Sequence, residues 1–142
     1  MIVVEIEDEA WRAIVPNVQA VVQEAAGAAL GGDRREATVL LTDDGALRDL
    51  NARFLGKDRP TNVLAFPDVD PKRLGDVAVA FATCASEAES QGKSLADHLR
   101  HLVVHGVLHL IGYDHQSEAD AERMEGLERR LLANMNIADP YA

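Results

Sequence analysis

All five histidines of the chain lie between residues 98 and 115, and three of them have the spacing of a metal site. His105 and His109 are four residues apart, so on an α-helix their side chains project from one face a turn apart. Gly112 allows the chain to leave the helix in a left-handed turn, after which His115 can fold back toward the other two. Three imidazole ligands leave one position of a tetrahedral ion open for water, which is typical of catalytic zinc. The sequence therefore predicts one Zn²⁺ per chain, bound by His105, His109 and His115.

The other candidate metal ligands nearby are weaker. A structural zinc site usually has a fourth protein ligand, commonly cysteine, and Cys84 lies on a separate predicted element. His98 and His101 lie a turn or more before His105, and we expect them at the mouth of the site or behind the ligands. Asp114 either orients a ligand imidazole or caps the turn, and the sequence leaves both roles open.

The residue after the first ligand distinguishes this pattern from that of metallopeptidases. In those enzymes it is a glutamate that acts as the general base, whereas here it is Gly106. We expect the missing side chain to leave room beside the metal for a bulky substrate or for solvent. The missing glutamate disfavours peptide hydrolysis, and no other residue stands out as a general base.

Length and composition restrict the class of protein. A chain of 142 residues with 47% hydrophobic residues predicts one domain, residues 1–142, with a substantial core. No cationic, apolar leader is apparent, no apolar run approaches the ~20 residues that cross a bilayer, and a single cysteine suits a reducing compartment. We therefore expect a cytoplasmic protein without a membrane partner.

The charge distribution favours RNA over DNA as a nucleic-acid partner. A net charge of −10 argues against a DNA-binding protein, which normally presents a basic face. Residues 48–73 are nevertheless slightly positive, with Arg48, Arg53, Lys57, Arg59, Lys72 and Arg73 against Asp49, Asp58, Asp68 and Asp70. This stretch could be a solvated loop with mixed charges, or it could contact RNA.

Hydrophobic periodicity and turn residues predict an α+β protein with about four strands, mostly in its first half. The predicted strands are 2–6, 37–41, 63–66 and 77–81. The predicted helices are 9–30 with a break near Pro16, 46–54, 84–91, a histidine helix ending near residue 111, and a last helix after Ser117. Ser94 with Asp97, and Ser117 with Asp120, resemble capping boxes. The last helix has an apolar stripe of Met124, Leu127, Leu131 and Met135.

Three motifs resemble those of a known family. Residues 105–115 read His-Gly-Val-Leu-His-Leu-Ile-Gly-Tyr-Asp-His. This closely resembles His-Gly-x-Leu-His-Leu-x-Gly-Tyr-Asp-His, the signature of the YbeY family of bacterial rRNA-maturation endoribonucleases. Residues 56–67, Gly-Lys-Asp-Arg-Pro-Thr-Asn-Val-Leu-Ala-Phe-Pro, and residues 74–79, Leu-Gly-Asp-Val-Ala-Val, match in order and spacing.

The resemblance implies a single α+β domain with a small mixed sheet and a central zinc-bearing helix. It also implies metal-dependent cleavage of single-stranded RNA, with roles in 3′-end maturation of small-subunit rRNA and in ribosome quality control. The expected partners are therefore single-stranded rRNA and the small ribosomal subunit. Family members commonly have an arginine where this chain has Leu55, so Arg53, Lys57 and Arg59 are the candidates for gripping phosphate.

Two other functions remain open at this point. One is a zinc metallopeptidase-like hydrolase, which the three-histidine spacing suggests and Gly106 disfavours. The other is a non-catalytic ribosome-assembly factor in which the zinc is structural.

Overall fold

The computed structural model describes residues 1–57 and 61–142. Four strands and six helices are present in the described residues. The strands are β1 (Ile2–Ile6), β2 (Glu36–Thr42), β3 (Val63–Pro67) and β4 (Arg73–Ala80). The helices are α1 (Ala10–Ile14), α2 (Val18–Leu30), α3 (Asp44–Leu55), α4 (Phe81–Ser90), α5 (Leu95–Ile111) and α6 (Glu118–Asn134). No helix in the described part of the chain is long and apolar enough to cross a membrane.

The four strands form one sheet in the order β1-β2-β4-β3. β1 pairs with β2 and β2 with β4 in parallel, whereas β3 pairs with β4 in the antiparallel direction. Val77 of β4 lies opposite Val39 of β2 on one side and opposite Ala65 of β3 on the other. The expected α+β domain with a small mixed sheet is confirmed.

The sheet separates two hydrophobic clusters because successive side chains of a strand point to opposite faces. Val77 and Val79 belong to the main core, which contains the buried residues of α2 and α5. Ala78 and Ala80 belong to a smaller cluster with Leu47 of α3. The histidine helix α5 and the helix α3 therefore pack on opposite faces of the sheet.

The helix boundaries confirm the capping predictions. Ser94 Oγ accepts a hydrogen bond from the Asp97 amide at 3.1 Å, and Ser117 Oγ accepts one from the Asp120 amide at 3.1 Å. α1 ends at Ile14 and α2 begins at Val18, so helical structure is interrupted around Pro16 as predicted.

The bounds of the strand predicted at residues 77–81 were wrong at both ends. β4 begins at Arg73, and Phe81 is the first residue of α4. The guanidinium of Arg73 donates to Glu36 Oε2 at 2.9 Å and to Thr38 Oγ1 at 2.7 Å, both on β2. These contacts join residues far apart in sequence, so local periodicity could not indicate where the strand starts.

Candidate metal centre

The position of α5 is set by its close packing on the sheet. Leu99, Val103 and Val107 of α5 are fully buried in the main core. Gly106 is also buried, and a Cβ atom added to it would lie 2.6 Å from Cγ1 of Val77. The backbone of α5 therefore approaches β4 as closely as it does only because residue 106 has no side chain.

This packing corrects the interpretation of Gly106 as space beside the metal. The missing side chain of Gly106 faces Val77 and, at 3.4 Å, Val63 of the sheet. The expectation that the glycine leaves room for a bulky substrate was wrong, because the sheet occupies that space. The absence of a glutamate at this position still distinguishes the chain from metallopeptidases of the His-Glu pattern.

The three predicted ligands converge at the end of α5. His105, His109 and His115 each offer a ligand atom within 4.8 Å of the other two. His109 Nε2 and His115 Nε2 are 3.2 Å apart, close to the about 3.3 Å between two nitrogens on a tetrahedral zinc with ~2.0–2.1 Å bonds. His105 and His109 are half-buried and His115 is exposed, so the group opens to solvent on one side. These three residues could hold a metal ion.

A buried carboxylate supports the first ligand from behind. Glu128 of α6 is fully buried, and its Oε1 lies 2.7 Å from Nδ1 of His105. An ionised carboxylate only accepts hydrogen bonds, so this contact favours the proton on Nδ1, which leaves the lone pair of Nε2 free in the neutral ring. This is the arrangement that a metal-binding histidine requires, and the donor set therefore fits an ion such as zinc.

The charges around the histidines favour metal binding. Burial by itself raises the pKa of Glu128, but the nearby His101 and hydrogen bonds from His105 and Tyr141 outweigh it and lower the pKa to about 2. Burial lowers the pKa of His109, and the nearby His105 and His115 lower it further. Near neutral pH the site thus combines an anionic Glu128 with a neutral His109, and neutral imidazole is the form that binds metals.

Sequence reasoning missed Glu128 because the predicted stripe of α6 contained only apolar residues. The most buried positions of α6 are Met124, Glu128 and Leu132, each four residues from the next. A glutamate at the centre of an apolar helix face is the signal that could have indicated a buried polar partner. Tyr141 was missed as well, although its hydroxyl donates a short hydrogen bond to Glu128 Oε2.

The other acidic and histidine candidates lie around the three ligands. Asp114 Oδ1 accepts from the Gln116 amide at 3.3 Å, a contact of the turn-capping kind, and its role toward a ligand stays a prediction. His98 Nε2 lies 2.8 Å from Glu87 Oε1, and His101 Nε2 lies 3.4 Å from the Tyr141 hydroxyl. As expected, neither histidine belongs to the group that could hold an ion.

Of the three basic candidates, Arg53 and Lys57 lie among the described residues. Arg53 is exposed at the end of α3, where its Nη1 lies 3.3 Å from Asp49 Oδ2. Arg53 belongs to α3, which packs on the opposite face of the sheet from the histidine helix α5. Lys57 is exposed just after α3, and Arg59 lies outside the described residues. Contact of these three residues with RNA stays a prediction.

Comparison with known proteins places the chain in a family. The sequence model of the family described as Endoribonuclease YbeY matches residues 3–136. The chain belongs to this family. An Endoribonuclease YbeY of Rhodopseudomonas palustris strain HaA2 is 47% identical over 156 residues, covering 98% of this chain and 80% of the relative. One of Paramagnetospirillum magneticum strain AMB-1 is 46% identical over 155 residues, covering 99% of this chain and 94% of the relative.

A solved structure has the same fold as this YbeY family member. The solution structure of TM1509 from Thermotoga maritima matches with a TM-score of 0.59 and 24% sequence identity, covering 100% of this chain and 99% of that one. Membership of a family described as an endoribonuclease supports a nuclease, that is, a hydrolase.

Proposed function

We propose that residues 1–142 act as one zinc-dependent endoribonuclease domain that cleaves single-stranded RNA. The observation that carries this proposal is the convergence of His105, His109 and His115 in front of the buried Glu128. Family membership supplies the reaction class, since the relatives bear the name endoribonuclease. The three-nitrogen donor set supports zinc as the ion.

The residues of the chain would divide the work of hydrolysis as follows. When bound, a zinc ion would act as a Lewis acid that polarises phosphoryl oxygens and lowers the pKa of water to ~7. His105, His109 and His115 hold the ion, and the exposed side at His115 admits the phosphodiester. Glu128 contacts Nδ1 of His105, which leaves Nε2 to hold an ion, so Glu128 would orient a ligand and would not serve as the general base.

Arg53, Lys57 and Arg59 would bind the phosphates of the substrate. Their cations offset phosphate charge and release counterions, which gives binding that does not depend on base identity. Because α3, which carries Arg53, packs on the opposite face of the sheet from the histidine helix α5, RNA that contacts both would have to pass around the sheet. A flexible single strand can follow such a path more readily than a duplex, which supports single-stranded RNA as the substrate.

The biological setting is part of the same proposal. We assign the activity to 3′-end maturation of small-subunit rRNA and to ribosome quality control in the cytoplasm, with the small ribosomal subunit as partner. The resemblance of residues 105–115 to the signature of rRNA-maturation enzymes supports this assignment. Asp114 would support the turn that presents His115, through its contact with the Gln116 amide.

The two alternative functions are less well supported. A metallopeptidase of the His-Glu pattern would need a carboxylate at position 106, where Val77 leaves no space for a side chain. A structural zinc would usually have a fourth protein ligand, whereas the three histidines open to solvent at His115. Both alternatives can be tested in the same experiment as the main proposal.

The experiment is cleavage of a single-stranded RNA, its duplex form and casein by one zinc-loaded preparation, with and without a chelator. We expect cleavage of the single strand alone, loss of activity with chelator, and recovery on adding zinc. His109→Ala, checked for folding by circular dichroism, should lose RNA cleavage. Casein cleavage would favour the peptidase, and undiminished RNA cleavage by a folded, zinc-free His109→Ala protein would contradict the proposal.

A further inference from the structure

The carboxylate behind the metal ligands is itself held by the C-terminal segment. Tyr141 donates a short hydrogen bond from its hydroxyl to Glu128 Oε2, while Glu128 Oε1 faces His105 Nδ1 at 2.7 Å. The two oxygens of one carboxylate thus have different partners on opposite sides. Rotation of the Glu128 carboxylate would break both contacts at once, so its orientation is determined.

The C-terminal segment is in turn fixed to α6. Arg129 places its guanidinium over the ring of Tyr141, 5.3 Å from the ring centre, and its Nε lies 3.1 Å from Asp139 Oδ2. The Tyr141 amide donates to Asp139 Oδ1 at 2.8 Å. A turn at the end of the chain therefore places one hydroxyl against a buried carboxylate of the preceding helix.

Burying an ionised carboxylate costs free energy, so the partners of Glu128 indicate what the group does. Glu128 is fully buried, and an ionised group in the interior is stabilised only by partners with good geometry. In the described part of the chain those partners are a tyrosine hydroxyl, a proposed metal ligand and, at 3.7 Å, His101 Nε2. Two of the three are histidines of α5, and the nearer is His105.

We propose that Glu128 and Tyr141 are positioning residues of the metal site, which hold His105 in the Nδ1–H tautomer with Nε2 directed at the ion. This inference rests on the proposed function, because it assumes that His105 is a metal ligand. The chain Tyr141–Glu128–His105 fixes the orientation of the ring before metal binds, so less ordering is needed when the ion arrives. The negative charge of Glu128 also makes the imidazole a stronger donor to a cation.

Two variants and a control test the inference through zinc affinity. Glu128→Gln keeps the size of the side chain and removes its charge, and Tyr141→Phe removes only the hydroxyl. Glu122→Gln, at an exposed carboxylate of the same helix, is the matched control. The measurement is the dissociation constant of Zn²⁺ for the full chain, by competition with a chromophoric chelator, on metal-free protein whose folding is checked by circular dichroism.

Zinc affinity should fall in the order set by the contacts. We expect the dissociation constant to rise by about 10–100-fold in Glu128→Gln, by a smaller factor in Tyr141→Phe, and not at all in Glu122→Gln. A wild-type dissociation constant in a folded Glu128→Gln protein would overturn the inference. If that variant does not fold, Tyr141→Phe decides, and an unchanged dissociation constant there overturns it.

A second measurement does not depend on any variant. Nitrogen-15 NMR of the metal-free wild-type protein reports which ring nitrogen of His105 carries the proton. We expect the proton on Nδ1, and a proton on Nε2 would overturn the inference. A wild-type protein that fails to bind zinc would instead contradict the proposed function, so the two failures are distinguishable.

Discussion

Gly106 of α5 lies directly against Val77 of β4, with space for a hydrogen atom but not for a methyl group between them. A Cβ atom at residue 106 would lie 2.6 Å from Cγ1 and 3.1 Å from Cγ2 of Val77. Val77 is fully buried on an interior strand and has a branched, stiff side chain, so it cannot give way. The glycine of the histidine motif therefore sets the distance between helix and sheet.

We expect Gly106→Ala to destabilise the protein by up to about 2 kcal/mol, because an overpacking cost of about 1–3 kcal/mol outweighs the ~1 kcal/mol that alanine adds to helix propensity. The measurement is the free energy of unfolding of the metal-free protein in urea. Gly126→Ala in α6 is the matched control, since no atom lies within 4 Å of its added Cβ. The control should gain up to ~1 kcal/mol. Equal stability of both variants would contradict the account of Gly106.

The three histidines should each be required for zinc binding. Replacing His105, His109 or His115 by alanine removes one nitrogen of the group and should raise the zinc dissociation constant by more than the ~10–100-fold typical of residues that only support a ligand. Metal analysis after dialysis measures the occupancy. His101→Ala, which leaves all three ligands in place, should retain about one zinc per chain at saturating metal. Full occupancy in His115→Ala would remove His115 from the ligand set.

The basic residues can be tested through the salt dependence of RNA binding. Combined replacement of Arg53, Lys57 and Arg59 by alanine should weaken RNA binding. It should also reduce the slope of the logarithm of the RNA-binding constant against the logarithm of salt concentration by roughly 0.7 per lost phosphate contact. A triple replacement of Arg12, Arg34 and Lys93 changes the net charge equally and serves as the control. If both triple variants alter the slope to the same extent, the contribution is global charge, and the RNA path does not follow residues 53–59.

Acid should destabilise the protein partly through His98. This residue is 2% exposed, its Nε2 lies 2.8 Å from Glu87 Oε1, and its Nδ1 has no hydrogen-bond partner among the described residues. Burial lowers the pKa of His98 below 6.5, and the charge of Lys93 lowers it further, against the opposing effect of Glu87. As the pH falls below 6.5, His98 therefore becomes protonated in the unfolded chain before it does so in the folded one. The stability contributed by His98 is complete above that pH and is lost as the pH falls.

The corresponding measurement is the urea midpoint of the metal-free protein at pH 7.5 and at pH 5.5. His98→Gln can still donate to Glu87 and does not titrate, so its midpoint should fall less between the two pH values than that of the wild type. An equal fall in both proteins would assign the acid sensitivity to other groups.

Much of the local structure could be predicted from the sequence because its signals are short-range. The hydroxyls of Ser94 and Ser117 cap amides three residues away, so the starts of α5 and α6 follow from local hydrogen bonding. The ligand set was predictable for a similar reason. His105 and His109 are a helical turn apart, and Gly112, with φ 122°, permits the turn that brings His115 back.

Only the tertiary structure decided what surrounds those ligands. Glu128 is far from His105 in sequence, and its role depends on how α6 packs against α5, which no local pattern specifies. The same holds for Gly106, because the contact with Val77 on β4 is what excludes a side chain at that position. Likewise, only the tertiary structure shows that the helix carrying Arg53 and the helix carrying His105 and His109 cover opposite faces of the sheet. Helical spacing and capping depend on residues within a few positions of each other, so the sequence shows them directly. Burial and the packing of helices on the sheet bring together residues that are far apart in sequence, and no local pattern indicates that they touch.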